Sequence, residues 1–177
     1  MPASVSIEIV GAKEALRALN SIDKKARRQV TKDFAQIVET VVTQARVDTP
    51  NEPPLSGMAY SWNARGTSKI FPWNNAKSDR AIKPFVSGKK PRQYGAYVSD
   101  LPAFGIKWTS PDALVVEMAG RGPVPTQRGK DMVQALSNRY GTPGRFLWKA
   151  YLQHSDTVLK ETKQLIKRVM QQVQKEI

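Results

Sequence analysis

The last third of the chain constrains the fold most. From Arg145 to Ile177 there is no Pro and no Gly, and the breaker pair Pro143-Gly144 stands directly before that run. Val158, Thr162, Leu165, Ile166, Val169, Val173 and Ile177 recur at spacings of three and four and line one helix face, while Lys160, Lys163, Lys167, Arg168 and Lys175 cover the other. Cations late in a helix also complement its dipole. The pattern predicts a C-terminal helix over 143–177, anchored at its start by Arg145, Phe146, Leu147 and Trp148. Such an element suits a part that docks into an assembly, and it offers no catalytic group.

The remainder reads as short strands and helices around irregular stretches. Val5 to Val10 alternates apolar and polar, which predicts a strand ended by Gly11, and Ala12–Leu19 follows as a short helix. Ser21 or Asp23 can cap the next helix, over Lys24–Val47, in which Ala26, Val30, Phe34, Ile37, Val38, Val41 and Ala45 form one stripe. At ~1.5 Å per residue that helix is roughly 35 Å long, and Asp48-Thr49-Pro50 ends it. Residues 51–92 hold no period and many Pro and Gly, so they are expected to form an extended loop region, with short strands at most. Tyr94–Ser99, Phe104–Thr109 and Ala113–Met118 are strand candidates, and short links between them favour an antiparallel meander that the N-terminal strand could join. Residues 121–141 read as a loop and a short helix, Lys130–Tyr140, with Gly141 as its C-cap. The expected fold is α+β in one domain over 1–177: a small antiparallel sheet packed by a long N-terminal and a long C-terminal helix, with a long irregular region between.

Charge and composition narrow the function. The chain has 177 residues, no Cys and a formal charge of +13. Without Cys there is no disulfide framework, thiolate zinc site or Cys nucleophile, and a reducing compartment is the expectation. No run of about 18 apolar residues predicts a membrane span, and Met1–Ser6 lacks a secretory signal, so the expectation is a cytoplasmic product. Residues 64–107 carry nine Lys and Arg against two acids, whereas residues 1–63 carry eight against seven. The surplus therefore sits in the middle and C-terminal segments, where it can face nucleic acid or an acidic protein.

Enzyme signatures fail one after another. His154 is the only His and has no partner pattern around it. Pro111-Asp112 followed by Glu117-Met118-Ala119 faintly matches the PD…ExK nuclease pattern, but Ala119 stands where the Lys is needed, so a turn Asp and a strand Glu are expected. Gly120-Arg121-Gly122 and Gly129-Lys130 do not make a phosphate loop, which needs Gly-x4-Gly-Lys-Ser/Thr. Hence no catalytic, cofactor-binding or metal-ligating residue is assigned. The aromatic and basic residues of the irregular region, Trp62, Arg65, Lys69, Phe71, Trp73, Lys89, Lys90 and Arg92, are instead the candidate interface, because Trp, Tyr and Arg are the enriched residues of interface hot spots. The same mix could stack bases and hold phosphates.

The order of parts resembles the tail-completion (neck) proteins of long-tailed bacteriophages, the minor tail component of HK-type lambdoid phages, distantly similar to lambda's tail-completion protein Z. The resemblance rests on the opening Ile7-Glu8-Ile9-Val10-Gly11-Ala12-Lys13-Glu14-Ala15-Leu16-Arg17-Ala18-Leu19. It continues in Ala45-Arg46-Val47-Asp48-Thr49-Pro50, Leu55-Ser56-Gly57-Met58-Ala59-Tyr60-Ser61-Trp62 and Gly144-Arg145-Phe146-Leu147-Trp148-Lys149-Ala150. The Pro usual between Arg and Phe in the last block is missing here, and residues 63–92 and 121–140 have no counterpart. The resemblance implies a non-enzymatic virion protein of the neck and tail, made in host cytoplasm, that completes the tail and mediates head-to-tail joining. It implies a homo-oligomeric ring, expected as a hexamer, that contacts the tail terminator and neck or connector proteins, close to DNA in the neck channel and away from any membrane. The alternatives are another head–tail connector or minor tail protein, or a basic nucleic-acid-binding module.

Overall fold

The computed structural model describes residues 3–59, 72–90, 92–94 and 97–175. In chain order the elements are β1 (Ala3–Ile7), α1 (Ala12–Ile22), α2 (Lys24–Ile37), α3 (Glu39–Asp48), a 3-10 turn (Ser56–Met58), α4 (Asn75–Arg80), β2 (Ile82–Val86), β3 (Arg92–Tyr94), β4 (Tyr97–Ser99), β5 (Phe104–Trp108), α5 (Pro111–Met118), α6 (Gln127–Tyr140) and α7 (Leu147–Lys175). The fold is α+β with a three-stranded antiparallel sheet in the order β1-β5-β2 and a long C-terminal helix. The chain divides into two compact units, each assembled from three separate stretches.

The first unit comprises residues 1–4, 41–83 and 107–153. Its buried side chains include Val41, Val42 and Ala45 of α3, Trp108 at the end of β5, Ala113 and Val116 of α5, Leu136 of α6, and Phe146 and Leu147 at the start of α7. Trp108 and Tyr140 each meet Phe146 edge-on, with ring centroids 6.2 Å and 5.5 Å from it. Thr126 caps α6 by accepting from the Gly129 amide, and Gly141 ends it at φ 84 and ψ −163, a positive-φ conformation open to Gly.

The second unit comprises residues 5–40, 84–106 and 154–177. Val5 and Ile7 of β1, Leu16 and Leu19 of α1, Phe34 of α2, Phe104 and Ile106 of β5, and Val158, Leu165, Ile166 and Val169 of α7 are all buried. Phe34 and Phe104 meet with centroids 4.9 Å apart. Pro84, which cannot donate to a ladder, sits in β2 at the edge of the sheet. Gly105 sits in the central strand, where an added Cβ would lie 2.6 Å from the Val5 carbonyl and 2.7 Å from the Phe85 ring. Only Gly permits that approach. Asp23 caps α2 by accepting from the Lys25 amide at 2.6 Å.

Several sequence expectations are corrected. Ala113–Met118 is not a strand: it belongs to α5, with Ser110 at the N-cap and Pro111 in the first turn. Pro suits that position because its missing N–H has no partner in a helix start. The single long helix over Lys24–Val47 is broken at Val38, which has φ −94 and ψ 3 yet stays buried and still donates to the Phe34 carbonyl at 3.1 Å. Tyr94–Ser99 is not one strand of a meander: β3 and β4 pair antiparallel with Tyr94 opposite Tyr97 as a sheet of their own. The region 51–92 holds α4 and β2 as well as loop.

Candidate functional site

The best-defined constellation of polar groups surrounds the start of α7, where the sequence placed an anchor. A helix start leaves amides without intrahelical partners. Here the Glu117 carboxylate, from α5, accepts from the Phe146 amide at 2.9 Å and the Trp148 amide at 3.1 Å. The Glu117 carbonyl also accepts from the Gly144 amide at 2.7 Å, and Gly144 makes that turn at φ 89. Arg145 runs the other way. Its Nη1 donates to the carbonyls of Val116 at 2.7 Å and Ala119 at 3.1 Å, which close α5, and its Nη2 donates to Ser137 Oγ of α6 at 3.3 Å. The two residues form a clasp: an α5 carboxylate caps α7, and the guanidinium just before α7 caps α5, each charge meeting the helix end its sign favours.

The clasp is dry. Glu117 is 1% exposed and Arg145 is 2% exposed. Burial pushes the Glu117 carboxyl above its ordinary range, against the opposing pull of the Phe146, Trp148 and Leu147 amides and the Arg145 charge. Burial likewise lowers the Arg145 guanidinium, opposed by Glu117. Arg145 Nε is buried without a hydrogen-bond partner, so the arrangement carries one desolvated donor that packing must offset.

Around this clasp the predicted anchor residues differ in kind. Phe146 and Leu147 are buried, at 3% and 1% exposure. Trp148 is only half-buried: it leans on Tyr151 with centroids 5.8 Å apart, and the Arg121 guanidinium lies over its ring at 5.7 Å. Trp148, Lys149 and the exposed Leu152 border an open groove of about 540 Å³ with Tyr140 and Pro143.

The predicted interface residues do not form one cluster. Trp62, Arg65, Lys69 and Phe71 lie outside the described residues. Trp73 is in the first unit, half-buried and tied down: its amide donates to the Met58 carbonyl and its indole Nε1 to the Pro50 carbonyl, both at 3.0 Å. Lys89, Lys90 and Arg92 are exposed in the second unit. There Arg17 Nε donates to the Gly88 carbonyl at 2.8 Å beside them.

Sequence reasoning missed both carboxylates that organise the first unit. Glu117 is a helix residue and not a strand residue. Asp112 is not a turn residue: it lies in the first turn of α5, buried, accepting from Ser110 Oγ, from Ser78 Oγ at 3.1 Å and from the Asn74 amide at 3.3 Å. The Trp108 indole donates to the Ser78 carbonyl at 2.9 Å and completes that network. Five positions along a helix turn by about 140°, so the two carboxylates of the nuclease-like spacing point to different neighbours. Among the described residues no group of three or more His, Cys, Asp or Glu could hold a metal ion. Ser110-Pro111-Asp112 was the available signal, since Ser before Pro before an acid also describes a helix start. No family model, curated protein or solved structure matches the chain.

Proposed function

We propose that this chain is a structural virion protein of a long-tailed phage, a non-enzymatic part that completes the tail and joins it to the head. The observation that carries the reading is the Gly144–Ala150 block. In the tail-completion proteins that the sequence resembles, such a block leads into the last helix. In this chain Gly144, Arg145, Phe146 and Leu147 begin α7 through a left-handed Gly, a buried guanidinium and two buried apolar side chains. Each of these four residues thus has a physical reason to be what it is. The order β1, Gly11, α1 and then a helical run ending before Pro50 supports the opening part of the resemblance.

On this reading the chain acts as a ring of identical copies, a hexamer, against the tail terminator and connector proteins. Heterologous contacts around a closed ring need no further device. The half-buried Trp73, the exposed Lys89, Lys90 and Arg92, and the segment holding Trp62, Arg65, Lys69 and Phe71 supply the contacts. The test is electron microscopy of tails from a phage lacking this gene, with and without purified protein. Added density confined to the head-proximal end is expected, together with restored joining to filled heads. Coating along the tube, or no binding, would overturn the reading.

A further inference from the structure

We propose that the face formed by α2 and the second half of α7, within the second unit, is a docking surface for duplex DNA, held through its phosphates. On α2, Lys24, Arg28 and Lys32 recur every fourth residue and all are exposed. They form a row stepping about 6 Å along the helix. On α7, exposed Lys160, Lys163 and Lys167 form a second row. Between the helices lies an open groove of about 460 Å³ bordered by Lys25, Gln29, Arg168 and Gln172 and by the carboxylates Asp23 and Asp33, over a floor of Val30 and Val169.

The six cations of the two rows outnumber the four acids nearby. Asp23 is taken up as the α2 cap, and Asp33 accepts from Gln29 Nε2 at 2.7 Å. Asp156 and Glu161 are exposed on α7. Among the described residues the ion pairs are Lys13 with Asp100 and Arg17 with Glu14, so no cation of the face is paired with a carboxylate. A face that only keeps a helix soluble gains from Glu and Lys alternating at the i,i+4 spacing and loses from like charges there. The α2 row places like charges at that spacing twice, a local disadvantage that a polyanion would relieve.

The occupant follows from what the face lacks as well as what it carries. Among the described residues the exposed large apolar side chains are Val10, Ile22, Val47, Val98, Leu101 and Leu152, none on α2 or on residues 154–175. Protein interfaces centre on desolvated apolar and aromatic anchors. Phosphate backbones are held by Lys, Arg and side-chain amides with no such centre, and without reading sequence. The surface goes beyond the tail assignment and stands without it.

The test is anisotropy of a labelled mixed-sequence DNA duplex titrated with the full chain over a range of salt. Binding should weaken linearly in log–log form, with a slope of about −0.9 per phosphate contacted. Lys24→Gln, Arg28→Gln and Lys32→Gln together, or Lys160→Gln, Lys163→Gln and Lys167→Gln together, should each flatten the slope by about 2–3. Lys77→Gln, Arg80→Gln and Arg128→Gln together change the charge equally on exposed positions of the first unit and should leave the slope nearly unchanged. Thermal melts establish that all three variants are folded. The proposal is overturned by absence of salt-sensitive duplex binding, or by equal flattening in the control. It is also overturned by polyglutamate binding as tightly with the same losses, which would give the face to an acidic protein. None of these results touches the tail reading, which is judged at tail ends by microscopy.

Discussion

Glu117 joins the start of α7 to α5 through one carboxylate, so its removal has a cost that can be stated. Glu117→Ala leaves the buried Phe146 amide and the part-buried Trp148 amide without acceptors and Arg145 without its neighbouring negative charge. An unsatisfied buried group costs about 1–3 kcal/mol and a lost N-cap about 0.5–2, so a loss of roughly 2–3 kcal/mol in urea unfolding is expected. The carboxylate also leaves a signature in pH. Burial holds its folded pKa above the unfolded one, so the native state keeps the proton longer than the unfolded chain does. The stability this contributes is fully present below the unfolded value. It is lost as pH rises through the raised folded value, and is flat above that. Glu117→Gln removes this titration. The difference in stability between wild type and Glu117→Gln should therefore change between mildly acidic and neutral pH, with the wild type relatively better at the acidic end. A difference that stays constant across that range would mean that the three amides and the Arg145 charge offset burial in full.

Gly105 sets how closely the strands of the sheet approach. An added methyl would collide with the Val5 carbonyl and with the Phe85 ring, both under 3 Å away. The carbonyl belongs to the ladder and cannot turn aside, so Gly105→Ala should cost about 1–3 kcal/mol as overpacking, with amide exchange accelerating first in β1 and β2. Unchanged exchange in those strands would show that the ring swings away freely. The same elements show what the sequence made legible. α1, α6 and α7 were readable because half-buried helices carry a persistent three-and-four spacing. α5 was not, because an eight-residue apolar run buried on several sides shows neither helical nor strand period, and Ser110-Pro111-Asp112 reads equally as turn or helix start. The break at Val38 carries no Gly or Pro and the stripe runs straight through it. The anchor block was legible as Arg145, Phe146, Leu147 and Trp148, but its other half was not: Glu117 meets amides 29 and 31 residues away, and no local pattern marks such a pairing.

Both units are discontinuous in sequence, and α7 contributes to each: residues 147–153 belong to the first and residues 154–175 to the second. A cut after Gln153 therefore removes material from one unit and leaves the other's stretches intact. The second unit loses the buried side chains of Val158, Leu165, Ile166, Val169 and Val173. At about 1.5–3 kcal/mol for each fully buried aliphatic side chain, the removed burial is comparable to the 5–15 kcal/mol by which whole domains are stable. Leu16, Leu19 and Phe34 would then lie in a unit without the helix that completes it. The first unit keeps Arg145, Phe146, Leu147, Ala150 and Tyr151, and with them the clasp to Glu117. Hydrogen exchange on the 1–153 chain should accordingly show α1 and α2 unprotected while α5 and α6 remain protected. Protection lost in both sets would mean that the two units fold only as one. Protection kept in α1 and α2 would mean that the sheet and the first two helices hold together without the apolar face of α7, and that this face is free for another partner.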